Sequence, residues 1–318
     1  MFYSCFDISL LQMNFQGQHI LSTAQFDSEG MLSLFEEAKK MEKIMIDGGS
    51  DILDGKILAT LFFEPSTRTR FSFESAMNRL GGRVISNADM MATSSLKKKE
   101  SLEDTAKTVS QMVDVIVMRH PESGSVDKMA QNSDVPVINA GDGPNQHPTQ
   151  ALLDVYTVWK ERGGLDGVTI GMVGDLRNGR VPHSQCDLLK HFNVKFVLVS
   201  PDELAMPSDI VSELKHFNCE VVESNDLVKS LPEMDVIGMT RVQMERFESE
   251  EEYKKYEGVY VLDPELMKKA KEDAIILHPL PRVDEIAVEL DSDPRSKYFE
   301  QVGNGVAIRM ALLKKVLE

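Results

Sequence analysis

The sequence predicts an α/β protein of two domains, each a doubly wound parallel sheet. Short, nearly unbroken apolar runs alternate along the chain with stretches of helical periodicity, as expected for strands covered on both faces. After Gly163-Gly164 a second series of this kind begins at Val168-Thr169-Ile170-Gly171-Met172-Val173-Gly174-Asp175. The 318 residues suffice for two separate cores.

Met1 to Gln18 shows no helical periodicity and reads as an extension, a loose tail or an interface arm. From Asp27 onward, Met31, Leu34, Phe35, Ala38 and Met41 define an amphipathic helix that Gly48-Gly49 terminates. Residues 57–63 form the first strand. It runs into Glu64-Pro65-Ser66-Thr67-Arg68-Thr69-Arg70, then into a helix whose Phe73, Ala76, Met77 and Leu80 share one face ahead of Gly81-Gly82. A helix start offers an anion its free backbone N–H groups and the positive end of the macrodipole. Arg68 adds a bidentate fork, and Ser66, Thr67 and Thr69 add short donors. The polar stretch from Ala92 to Ser101, with Lys97-Lys98-Lys99, is expected to be a surface loop.

The strand at 113–118 delivers Arg119 and His120 to the carboxyl edge of its sheet, where open α/β sheets bind ligands. The next, at 135–139, leads through Gly141-Asp142-Gly143-Pro144 to His147. Pro148 there opens a helix faced by Leu152, Val155, Tyr156 and Trp159, with His147 and Gln150 about one turn apart. In the second series, Gly171, Gly174 and Gly179 do not have the dinucleotide spacing and read as a tight strand-to-helix turn, with Arg180 at the helix entrance. Further strands are expected at 195–199, 219–222, 235–239 and 274–277. Arg241 and Gln243 follow the third of these, ahead of a charged loop at 247–255. Met310, Leu313 and Leu317 stripe a last helix placed after Gly303-Asn304-Gly305.

Composition is that of a soluble globular protein, 42% hydrophobic and 27% charged. A net charge of −16 argues against nucleic acid as a partner. Any anionic substrate then needs the cationic side chains gathered in one cleft, against the field of the whole molecule. Cys5, Cys186 and Cys219 are far apart without C-x-x-C spacing, which suggests neither disulfides nor structural zinc and points to a reducing cytoplasm. No Lys or Arg precedes Lys39, and no apolar stretch has the length of a membrane span.

Ser66-Thr67-Arg68-Thr69-Arg70 resembles the carbamoyl-phosphate motif of the aspartate and ornithine carbamoyltransferases. Four later segments follow in that family's order: Met118-Arg119-His120-Pro121, Asn145-Gln146-His147-Pro148-Thr149-Gln150, Thr240-Arg241-Val242-Gln243 and His278-Pro279-Leu280-Pro281-Arg282. The likeness runs from about His19 to the C-terminus, and the Thr240 segment resembles the aspartate branch. It implies transfer of a carbamoyl group from carbamoyl phosphate to L-aspartate without a cofactor or a metal.

By resemblance, a carbamoyl-phosphate domain spans 1–148 and an aspartate domain 149–303, with a helix at 304–318 returning to the first. Carbamoyl phosphate falls to Ser66, Thr67, Arg68, Thr69, Arg119, His147, Gln150, Leu280 and Pro281. Aspartate falls to Arg180, Arg241, Gln243, Ser94 and Lys98, the last two reaching in from a neighbouring subunit of a homotrimer. Arg68, Thr69, Lys98, Arg119 and His147 form the implied catalytic set. A regulatory chain is a further partner that the family allows. The chain departs from the family at Lys99, commonly Gly, and at Arg177-Asn178, where some members have Lys-Tyr. The alternatives are carbamoyl transfer to ornithine or another amine, a non-catalytic scaffold of the same fold, and, more distantly, a dinucleotide oxidoreductase.

Overall fold

The apolar runs form two parallel sheets in the computed structural model, which describes residues 15–93, 99–242, 247 and 249–318. Ser94, Lys98 and Gln243 lie outside the described residues. The first sheet contains β1 (Ile57–Phe62), β2 (Arg83–Asn87), β3 (Val115–His120) and β4 (Val137–Asp142), in the order β2-β1-β3-β4. Its helices are α1 (Ser28–Ile46), α2 (Thr67–Arg79), α3 (Met90–Thr93), α4 (Leu102–Ser110) and α5 (Ser125–Ala130). Next comes α6 (Pro148–Arg162), capped by Gly163 in the left-handed region at φ 73°.

The second sheet has the order β7-β6-β5-β8-β9, built from β5 (Thr169–Val173), β6 (Lys195–Val199), β7 (Glu220–Ser224), β8 (Val236–Met239) and β9 (Ile275–Leu277). Between its strands run α7 (Arg180–Leu189), α8 (Ser208–His216), α9 (Leu227–Ser230), α10 (Glu250–Tyr253) and α11 (Pro264–Met267). The chain ends in α12 (Tyr298–Leu317), which packs on α1, α2 and α6 and so returns to the first sheet. All strand pairs are parallel. Strand order reverses between β1 and β3 and again between β5 and β8. Doubly wound sheets bind ligands beyond the carboxyl ends of the strands at such points.

Three expectations are corrected. α12 begins at Tyr298, so Gly303 and Gly305 lie inside the helix rather than before it. A Cβ on Gly305 would sit 2.9 Å from Leu153 Cδ2, so glycine here lets α12 lie close against α6, and that packing outweighs its low helix propensity of about 1 kcal/mol. The end of the N-terminal extension is built into the core. Phe15 is buried against Phe26 at 5.2 Å between rings, and Gly17 N–H donates to Val316 O at 2.9 Å. Finally, the charged stretch at 247–255 includes the helix α10.

Candidate active site

At the first switch point, Ser66 is the N-cap of α2, yet its hydroxyl makes no capping bond to the helix. Thr67, Arg68 and Thr69 follow in the first turn, where backbone N–H groups lack helical partners. The two arginines of this turn have separate jobs. Arg70 Nη1 donates to Glu74 at 3.1 Å and to Ser86 at 2.9 Å, bracing α2 against β2, whereas Arg68 lines a cavity of about 700 Å³. Arg119 lines it too, steadied by an Nε bond to Glu64 at 3.2 Å. Strand alternation sends the next residue to the opposite face of the sheet, and His120 packs on Phe63 there. Desolvation, followed by the charge of Arg119, lowers the Arg68 guanidinium pKa. Two cations held together in this way suit a multiply charged anion.

His147 reaches the same cavity as the N-cap of α6, with Pro148 at the first helical position. The loop before it is fixed by the buried Asp142. Its carboxylate accepts from Asn139 Nδ2 (3.1 Å), Asn145 Nδ2 (2.9 Å), Gln146 N (3.1 Å) and Gly124 N (3.2 Å). His147 Nε2 lies 3.4 Å from Thr69 Oγ1, and among the described residues its Nδ1 is buried without a hydrogen-bond partner. Burial, then Arg180, Arg119 and Arg309, hold its pKa well below the usual value. The imidazole is therefore neutral, with one N–H available to a ligand oxygen.

The second sheet supplies the facing wall. Gly174 follows β5 at φ +125°, and a Cβ there would lie 2.0 Å from Thr240 O, which explains the glycine without any nucleotide. Asn178 N donates to Asp175 Oδ1 at 2.9 Å, closing a turn that aims Arg180 back across the cleft. Arg180 Nη1 donates to Gly143 O. At Gly141, φ +117°, a Cβ would meet Arg119 Nη1 and Arg180 Nη2, each at 3.3 Å, so cations from both sheets converge on one glycine. Thr240 and Arg241 enter at the end of β8. Leu280 and Pro281, joined by a cis peptide, close the rim. Their turn is tied down by His278, whose Nδ1 accepts from Leu280 N at 2.7 Å and whose Nε2 bonds Glu285 Oε1 at 2.6 Å. Burial alone would raise Glu285, but His278 and backbone N–H groups hold it at about 2. Among the described residues, no cluster of His, Cys, Asp and Glu could hold a metal ion, and no helix is long and apolar enough to cross a membrane.

Residues 18–160 match the model of the aspartate/ornithine carbamoyltransferase carbamoyl-P binding domain, and residues 166–316 match that of the Asp/Orn binding domain. The chain belongs to the aspartate/ornithine carbamoyltransferase family. It is 50% identical over 305 residues to the aspartate carbamoyltransferase catalytic subunit of Methanopyrus kandleri, covering 96% of this chain and 98% of that one. It is 49% identical over 306 residues to the chloroplastic enzyme of Arabidopsis thaliana, covering 95% and 78%. Among solved structures, it resembles the catalytic subunit of M. jannaschii aspartate transcarbamoylase (TM-score 0.88, 46% identity, 94% and 97% covered). It also resembles the Trypanosoma cruzi aspartate transcarbamoylase in complex with carbamoyl phosphate and aspartate (TM-score 0.90, 38% identity, 96% and 98% covered).

In this carbamoyltransferase the structure brings Ser66, Thr67, Arg68, Thr69, Arg119, His147, Gln150, Arg180, Arg241, Leu280 and Pro281 around one cavity. It adds residues the sequence reading missed, among them Gln301 and Arg309 on α12. Arg309 is buried over the Phe73 ring at 4.9 Å, and burial lowers its pKa to about 9. An arginine inside the apolar stripe of a helix was the signal that could have found it.

Proposed function

We propose that the chain is an aspartate carbamoyltransferase of de novo pyrimidine biosynthesis, converting carbamoyl phosphate and L-aspartate into N-carbamoyl-L-aspartate and phosphate. The observation that carries this reading is the sharing of one cavity by both switch points. One side offers a helix start with Ser66, Thr67, Arg68, Thr69 and Arg119, the other Arg180 and Arg241. The T. cruzi protein, described with both substrates, supports it.

Ser66, Thr67, Arg68, Thr69 and Arg119 hold the phosphate. Thr69, Arg119 and neutral His147 donate to the carbonyl oxygen as negative charge develops there. Gln150 and the Leu280 carbonyl, in a turn held by Pro281, receive the carbamoyl NH2. Arg180, Arg241 and Gln243 hold the aspartate carboxylates. The aspartate amine attacks the carbonyl carbon, the C–O bond to phosphate breaks with its electron pair leaving on phosphate, and the departing phosphate takes up the proton that the amine gives up. No protein nucleophile is required. Holding two anionic reactants in register can supply ~7–11 kcal/mol of the barrier.

The functional units are a carbamoyl-phosphate domain of residues 1–148 joined by the C-terminal helix, and an aspartate domain of 149–303. The assembly is a homotrimer in which Ser94 and Lys98 complete a neighbour's site. In support, the apolar side chains of Phe71 (54% exposed), Ile85 (53%) and Met91 (57%) stand exposed on α2, β2 and α3, and α3 ends just before residues 94–98 in the sequence. The compartment is the cytoplasm, in keeping with the free buried thiols of Cys186 and Cys219. A regulatory chain fits the words "catalytic subunit" in the relatives' names. Carbon-labelled carbamoyl phosphate offered with L-aspartate or L-ornithine tests the activity. Label should appear in carbamoyl aspartate alone; label in citrulline alone, or in neither product, overturns the reading.

A further inference from the structure

Asp154 lies on α6, one turn beyond Gln150, and is 1% exposed. Its Oδ1 accepts from Gln150 Nε2 at 2.8 Å and also from Gln301 Nε2 on α12, while Oδ2 accepts from Gln185 Nε2 on α7 at 2.7 Å. Three side-chain amides from three helices thus converge on one buried carboxylate. All three present their NH2 ends to its two oxygens, which accept from them.

The two ends of a primary amide are not equivalent. With Nε2 committed to Asp154, the end of Gln150 left for the cavity it lines is Oε1, an acceptor. Without that anchor the side chain could turn its NH2 group toward the cavity, which already holds Arg119, Arg180 and Arg68 and needs no further donor. We propose that Asp154 is a positioning residue that orients Gln150 so its carbonyl oxygen accepts from the NH2 group of the carbamoyl substrate. The inference rests on the carbamoyl-transfer reading given above.

Burial raises the Asp154 carboxyl to about 7, even though the Gln301, Gln185 and Gln150 amides and the Arg309 charge all act to lower it. Arg309 is the charged group that acts on it, from α12. The same hydrogen-bond network extends to the rim of the cavity, since Gln301, donating to Asp154 through Nε2, accepts from His278 N through Oε1 at 3.1 Å.

A double-mutant cycle tests the assignment once the wild-type chain has been shown to carbamoylate aspartate; failure at that first step counts against the function rather than against Asp154. Asp154→Asn keeps the shape but cannot accept three donors. In the wild-type background it should lower kcat/KM for carbamoyl phosphate about ten- to a hundred-fold, the size of one lost charge-assisted hydrogen bond. In a Gln150→Ala background it should change it less than twofold. Equal losses in both backgrounds overturn the proposal, since Asp154 would then act through something other than Gln150. Should Asp154→Asn not fold, carboxyl carbon NMR of the otherwise intact protein decides. Gln150→Ala, by removing one donor, should raise the Asp154 titration midpoint, and an unchanged midpoint overturns the link.

Discussion

Thr69 Oγ1 and His147 Nε2 stand 3.4 Å apart, joining the N-terminal ends of α2 and α6 across the cavity. One follows β1 and the other follows β4, so the contact brings together residues from opposite sides of β3. Arg119 lines the same cavity as both side chains. Burial, then the charges of Arg180, Arg119 and Arg309, disfavour a protonated ring there.

The first prediction follows from that neutrality. His147 titrates near 6.5 when unfolded and well below it when folded, so the unfolded state binds the extra proton as pH falls. Its stabilising contribution is complete above about pH 6.5 and declines on acidification, by at most about 1.4 kcal/mol per pH unit. Urea unfolding of wild type should weaken between pH 6.5 and 5 more steeply than that of His147→Gln. Parallel slopes would mean that His147 protonates freely inside the fold.

The second prediction separates the two walls of the cavity. Arg68→Ala should lower turnover by ~10²–10³ while leaving the fold intact, because it removes a preorganised donor at a position open to the cavity. Arg241→Ala should raise the KM for aspartate while changing carbamoyl-phosphate binding little, as measured by steady-state kinetics and calorimetry. Comparable loss of affinity for both substrates in Arg241→Ala would contradict the division of labour.

Much of this was legible in the sequence for physical reasons. Apolar runs bounded by Gly and Pro marked β1, β3, β4 and β5, and the hydroxyl-rich turn at Ser66 and the His147-Pro148 helix start are local signals. What escaped depends on partners distant in sequence. β2 lies at a sheet edge with an irregular pattern of exposure, and so shows no alternation to read. Asp154, Gln301 and Arg309 are polar residues whose burial is set only when α6, α7 and α12 come together. The early start of α12 was hidden because glycine reads as a breaker unless close helix packing is known to require it.

The third prediction concerns that glycine. Gly305→Ala would gain helix propensity, worth about 1 kcal/mol, but its methyl group would lie 2.9 Å from Leu153 Cδ2 and 2.7 Å from Arg309 Nη1. Overpacking of this kind costs about 1–3 kcal/mol, so the net change should be a loss on the order of 1 kcal/mol. A lower urea midpoint with unchanged slope would show it. A higher midpoint would mean that α12 moves away from α6 without penalty.

The last prediction tests whether the site needs a second copy of the chain. Phe71 and Ile85 project from α2 and β2, more than half exposed, and neither belongs to the cavity. If a neighbouring subunit covers them, charging both should break the assembly and leave the subunit's own packing unharmed, since exposed substitutions usually change stability by only about 0.5 kcal/mol. Phe71→Asp combined with Ile85→Lys should therefore sediment as a monomer with a native circular dichroism spectrum, where wild type sediments as a trimer. The monomer should also be nearly inactive, because each cavity would lack what the neighbour supplies. A fully active monomer would show that one chain completes its own site, and a variant that still sediments as a trimer would place the interface elsewhere.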